Sequence, residues 1–281
     1  MSIKRREETT IKKLLSVAEG KEVFDDDSVK WAKTLYKNNC VNWRGKPTDS
    51  ERLYSEVIAE KLLESCYLAA LKNIEVVERE KPYALKHEYE INPDSNRKEE
   101  KFAIRLAKAH NKPENSDIKV ECDFCVMDYQ IPLKGGKSDR GVGKIDLVAT
   151  AKDSSKKEVY LLELKKDSST ETLLRCILEI YTYWCQLGHE NFIKDFVEAK
   201  KLKTNQGLTI IPAILIFKGS LPHNEYEELN EGKRPELAKL IGALEKNMRE
   251  RQPEYSNPRF KFFEISKVGE TYEINECSRK W

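Results

Sequence analysis

The chain has 281 residues, of which 35% are charged and 39% hydrophobic, and its 50 Lys and Arg against 48 Asp and Glu leave a net charge of +2. That length is ample for a substantial core. The charge balance excludes a globally basic nucleic-acid binder, so any positive surface must be local. No apolar run reaches the ~18 residues of a membrane span, and the first residues, Met1-Ser-Ile-Lys-Arg-Arg-Glu-Glu8, do not look like a secretory signal. The expected setting is cytoplasmic.

The first hundred residues read as mainly helical. A short exposed helix is expected within residues 1–20, followed by an acidic loop at Glu22–Asp27. Ser28 then suits the cap of a helix carrying Trp31, Ala32, Leu35 and Tyr36. After the break at Trp43–Pro47, apolar residues from Leu53 to Leu71 recur at helical spacing and predict one long helix over 50–73. Residues 83–91 alternate weakly and predict a strand. Residues 98–110 predict a further helix.

The composition changes after Pro113. Ile118–Leu133 is rich in β-branched and aromatic residues and predicts a long strand or a bent pair. Lys144–Ala151 and Glu158–Lys165 predict two strands whose six-residue link makes them an antiparallel hairpin. A helix over 170–187 and an amphipathic one over 190–203 follow. Leu208–Phe217 is the most hydrophobic run and predicts a central, parallel strand. Helices over 224–231 and 235–250 and strands over 259–265 and 270–275 complete the chain. The expected division is a helical region, 1–112, packing on a core, 113–281.

Seven cysteines at scattered spacings argue against a disulfide framework. Cys122 and Cys125 form one Cys-x-x-Cys without a second ligand pair, and the four histidines are isolated, so neither set describes a zinc site. Chemistry concentrates instead on the hairpin. Asp146 interrupts one apolar strand. Glu163 and Lys165 interrupt the next and, two apart, share a face. Buried carboxylates need a charge partner or a metal. On spacing alone the set also describes a cross-strand ion pair. Two carboxylates with a neighbouring lysine are, equally, a way to hold Mg²⁺ and a water against a phosphodiester.

Gly-Lys-Ile-Asp146, a strand, Glu163-Leu-Lys165 and a following helix resemble the PD-(D/E)xK nuclease superfamily, which includes restriction endonucleases and the λ-exonuclease-like and RecB-like nucleases. The resemblance covers residues 120–217. It implies an α/β restriction-endonuclease-like core, a mixed central sheet flanked by helices, and Mg²⁺-dependent cleavage of DNA, with Mn²⁺ as a substitute. Asp146, Glu163 and the Leu164 carbonyl would hold the ion, and Lys165 would position the attacking water. The helix carries Arg175, Glu179 and Tyr183 on one face; Glu179 and Tyr183 fall on the Gln-x-x-x-Tyr motif of RecB-like members, with Glu in place of Gln. Ile145 stands where the family name has proline. A Glu from the preceding helix often joins such sites, which makes Glu60, and next Glu56, candidates. Arg175 is expected at the phosphate, and Lys144, Arg140 and Lys137 along the nucleic-acid backbone. The alternative is an inactive nucleic-acid-binding or assembly protein on the same fold.

Overall fold

The computed structural model describes residues 31–46, 51–91, 94, 96–135, 143–204, 206–255 and 257–281. The helix expected within 1–20, the Glu22–Asp27 loop, the Ser28 cap, and Lys137 and Arg140 lie outside these residues. Among the described residues there are seven α-helices: α1 (Tyr54–Leu62), α2 (Ser65–Lys72), α3 (Lys98–Asn111), α4 (Leu173–Gln186), α5 (His189–Glu198), α6 (Leu221–Asn230) and α7 (Pro235–Arg251). One sheet holds seven strands: β1 (Lys119–Cys122), β2 (Phe124–Pro132), β3 (Lys144–Ala151), β4 (Glu158–Lys165), β5 (Thr209–Phe217), β6 (Lys261–Val268) and β7 (Thr271–Glu276).

The sheet is mixed, in the order β1-β7-β6-β5-β4-β3-β2. β3 runs antiparallel to both β2 and β4, while β4 pairs with β5 and β5 with β6 in parallel. The central position of β5 follows from its composition. Thr209–Ile216 is buried throughout, which a strand sustains only with both faces covered. On β4, Val159 and Leu161 enter one apolar cluster, and Tyr160, Leu162 and Leu164 the other. The first cluster is roofed by α4 and α7, and the second by Ala103, Ile104, Leu106 and Ala107 of α3.

Three expectations change. The helix predicted over 50–73 is two helices, divided at Glu64, whose backbone is extended (φ −62°, ψ 143°). No glycine or proline marks the division; the turn brings both short helices against α7. The strand predicted at 83–91 is absent: this segment is tied by side chains, with Tyr83 N–H donating to Asp195 and Lys201 donating to Leu85 O. The stretch 118–133 is indeed two strands, but they lie on opposite edges of the sheet. Only Asp123 separates them, so the sheet must curl until its edges meet.

α4 starts where Thr172 caps it, accepting from Arg175 N–H at 3.2 Å. The same hydroxyl donates to Val41 O, and Thr172 N–H donates to Asn42 at 2.7 Å. These bonds pin the segment Leu35–Asn42 beside the start of α4. The helix is buried nearly all round. Its leucines and isoleucines each contribute ~2 kcal/mol on the scale of apolar burial.

Candidate active site

The β3–β4 ladder pairs Thr150 with Val159 and runs to Leu147 opposite Leu162. One further step of that register sets Asp146 opposite Glu163. The backbone ladder ends before it. Asp146 Oδ2 instead accepts the Leu164 N–H at 3.0 Å, taking the place of a strand carbonyl. The two strands part here, and a side chain fills the gap. In a strand the N–H and C=O of one residue point to the same neighbour, so the Leu164 carbonyl also faces the opening. Gln130, on β2, donates its amide to Asp146 Oδ1 at 2.8 Å. Its φ of 51° marks a left-handed kink in the edge strand, which turns the side chain inward.

Asp146 keeps partial exposure. Its pKa is raised to about 7. Burial is the largest cause; Lys165 and the Leu164 N–H oppose it, and the charges of Glu179 and Glu99 add to it. The Glu163 carboxyl is also pushed well up, by burial first and then by Glu179, with Lys165 opposing and Asp146 adding.

Lys165 is buried and surrounded by acids. It donates to Glu163 Oε1 at 2.7 Å and to Glu179 Oε2 at 3.2 Å, and Glu171 Oε2 lies 2.7 Å away. The last contact is an ion pair without hydrogen-bond alignment, so Glu171 Oε2 is buried with no donor directed at it. Burial lowers the lysine pKa, but Glu163 and Glu179 outweigh it and hold the ammonium charged. Glu179 shows the same balance inverted: burial raises its pKa, while Lys165 and the Tyr183 hydroxyl bring it below the ordinary carboxylate value.

The network continues outward. Tyr183 donates to Glu179 Oε1 at 2.8 Å, and the Tyr36 ring meets it edge-on at 5.5 Å. Arg175 pairs with Glu171 at 3.4 Å, and its Nε is buried without a hydrogen-bond partner.

The structure thus brings together Asp146, Glu163, Leu164, Lys165, Glu179 and Tyr183, with Arg175 attached through Glu171. Lys144 is exposed at the start of β3, outside this network. Glu60 and Glu56 are not part of it. Glu60 pairs with Arg52 on an exposed helix face at 2.9 Å. Glu56 is buried because it caps α7, accepting from the N–H groups of Glu236 and Leu237 at 2.9 and 3.1 Å. Of the helices that precede the strands, the one adjoining the site is α3. Glu99, in its first turn, accepts the Lys166 N–H at 3.2 Å and presses electrostatically on Asp146. Glu99, Gln130, Glu171 and Tyr36 carry no sequence signal of their own. Glu99 alone was reachable, as the first-turn acid of a predicted helix that directly precedes the strands.

Cys122 and Cys125 lie on different strands. Cys122 donates to Phe124 O at 3.1 Å, and Cys125 is exposed. On the helix expected over 190–203, Lys194 pairs with Glu198, while Lys201 is bound to buried Asp128. Among the described residues no group of three or more His, Cys, Asp or Glu side chains is gathered to hold a metal, and no helix is long and apolar enough to cross a membrane. Comparison of the chain with protein-family models, curated proteins and solved structures finds no match.

Proposed function

We propose that the protein is a divalent-metal-dependent nuclease of the PD-(D/E)xK type, hydrolysing phosphodiester bonds of DNA. The observation that carries this reading is the opposition of Asp146 to Glu163-Leu164-Lys165 where β3 and β4 part, with α4 behind them. The order of elements supports it: an acid on one strand, Glu-x-Lys on the antiparallel partner, then a helix bearing Glu179 and Tyr183 toward the lysine.

The donor set fits Mg²⁺ or Mn²⁺. Two carboxylates and a backbone carbonyl are hard oxygen ligands, and Mg²⁺ is commonly held by one or two carboxylates with water completing its shell. Acids outnumber bases here: Asp146, Glu163, Glu171, Glu179 and the nearby Glu99 face Lys165 and Arg175. Burial is the largest cause of the raised Asp146 and Glu163 carboxyls, and a bound cation would offset that cost.

A bound divalent ion supplies Lewis acidity and a more acidic water. The protein supplies the rest. Asp146 and Glu163 hold the ion from two strands. Lys165, fixed by Glu179 and Tyr183, directs the attacking water and offsets charge in the transition state. Arg175, part-exposed beside Glu171, is the cation placed to meet a phosphate oxygen.

The test is incubation with plasmid and linear DNA in Mg²⁺, Mn²⁺ or EDTA, beside Asp146→Ala and Lys165→Ala. Metal-dependent cleavage lost in both variants is the expected result. Cleavage that persists in both sinks the assignment, and an intact wild type that cuts nothing favours a binding role for the fold.

A further inference from the structure

Lys165 has three N–H groups and three carboxylates around it, and they are not used equally. Glu163 and Glu179 accept hydrogen bonds; Glu171 Oε2, as close as Glu163 Oε1 at 2.7 Å, accepts none. Glu179 is held in place by Tyr183. Glu171 is held by Arg175, and its own N–H donates to Ser169 Oγ at 3.4 Å. A second berth for the ammonium is therefore built and only partly used. The first berth is the carboxylate that the nuclease reading assigns to a divalent ion.

We propose that Lys165 is a tethered cation that occupies Glu163 when the site is metal-free and withdraws to Glu171 and Glu179 when Glu163 is taken by a divalent ion. The inference rests on the assignment of Asp146 and Glu163 as the ion's ligands. The rotation needs no backbone movement, because Glu171 Oε2 is already at contact distance. On withdrawal the ammonium exchanges Glu163 for Glu171 and keeps two acids beside it, so a metal-free Glu163 is held by the protein's own side chain. Glu171 is the positioning residue of this device and touches no substrate in it.

The test is calorimetric titration of Mg²⁺ alone into metal-free protein, without nucleic acid. Lys165→Met removes the competitor and is expected to bind Mg²⁺ ~10-fold more tightly than wild type. Lys37→Met is the control: it deletes a cation whose charge reaches Glu179 but which does not bond Glu163, and is expected to change affinity less than ~3-fold. Equal tightening in both variants means charge alone is at work and overturns the proposal, as does unchanged affinity in Lys165→Met. Binding that survives Asp146→Asn places the ion elsewhere and removes the nuclease reading, as does a lack of Mg²⁺ binding by wild type and Lys165→Met alike; the proposal falls with it in either case. If Lys165→Met does not fold, a crystal structure of wild type with Ca²⁺ decides. The ammonium on Glu171 and off Glu163 sustains the proposal, and the ammonium still on Glu163 overturns it.

Discussion

Gly143 sits where the backbone passes against the Tyr183 ring. A Cβ there would lie 2.1 Å from the hydroxyl oxygen and 2.4 Å from Cζ. Tyr183 is 4% exposed and held by Glu179 and the edge-on Tyr36 ring, so it cannot retreat freely. Gly143→Ala is expected to cost ~2–3 kcal/mol by overpacking, measured by urea unfolding, and to be much less costly in a Tyr183→Ala background. Asp146 gives a second prediction at this scale. Its folded pKa of about 7 exceeds the ordinary 3.8, so the fold prefers the protonated acid. The contribution of Asp146 to stability is greatest below pH 4 and is lost as pH rises through 7. Ionisation costs roughly 2–4 kcal/mol once its partial exposure is allowed for. Asp146→Asn is therefore expected to raise the melting temperature at pH 8 in EDTA, while Mg²⁺ raises that of wild type and not of the variant. An unchanged melting temperature in the variant counts against the buried, uncompensated acid.

At the scale of elements, Glu56 illustrates how an acid suggested for chemistry can be occupied with architecture. It joins α1 to the first turn of α7, receiving two backbone N–H groups at the positive end of that helix. Glu56→Ala is expected to lower stability by ~1–2 kcal/mol and to leave a Mg²⁺-induced rise in melting temperature in place; loss of that rise would return Glu56 to the metal site. The sequence could not separate Glu56 from Glu99, since both are acids near the start of a helix, and the difference lies in which helix packs on the parting strands. The hairpin of β3 and β4, the helix α4 and the central β5 were legible because each carries an uninterrupted apolar pattern. The α1–α2 division was not, because its cause is the shape of α7 and not any residue at the break. The extended segment 83–91 was not, because side chains at Asp128, Asp195 and Lys201, each over 40 residues on, satisfy its backbone.

Across the whole molecule, the spacing of Glu163 and Lys165 fixed a shared face, and the antiparallel pairing set Asp146 across from them. What surrounds them was beyond reach of pattern: Glu171 and Tyr36 enter from a loop and a single turn, placed by Thr172 bonding to Val41 and Asn42. The curling of the sheet about Asp123 has a kinetic consequence. β1 finds its partner, β7, about 150 residues further along the chain, whereas β2, β3 and β4 pair with near neighbours. Closing so long a loop is entropically slow. The β2–β4 meander is thus expected to form early and the seam between β1 and β7 last. In pulse-labelled hydrogen exchange during refolding, amides of β3 and β4 should gain protection before those of Val120 and Ile274; simultaneous protection would mean the edges are joined in the nucleus itself. Until the seam closes, β7 has a bare edge open to another chain, so crowding before closure is a hazard concentrated on that strand.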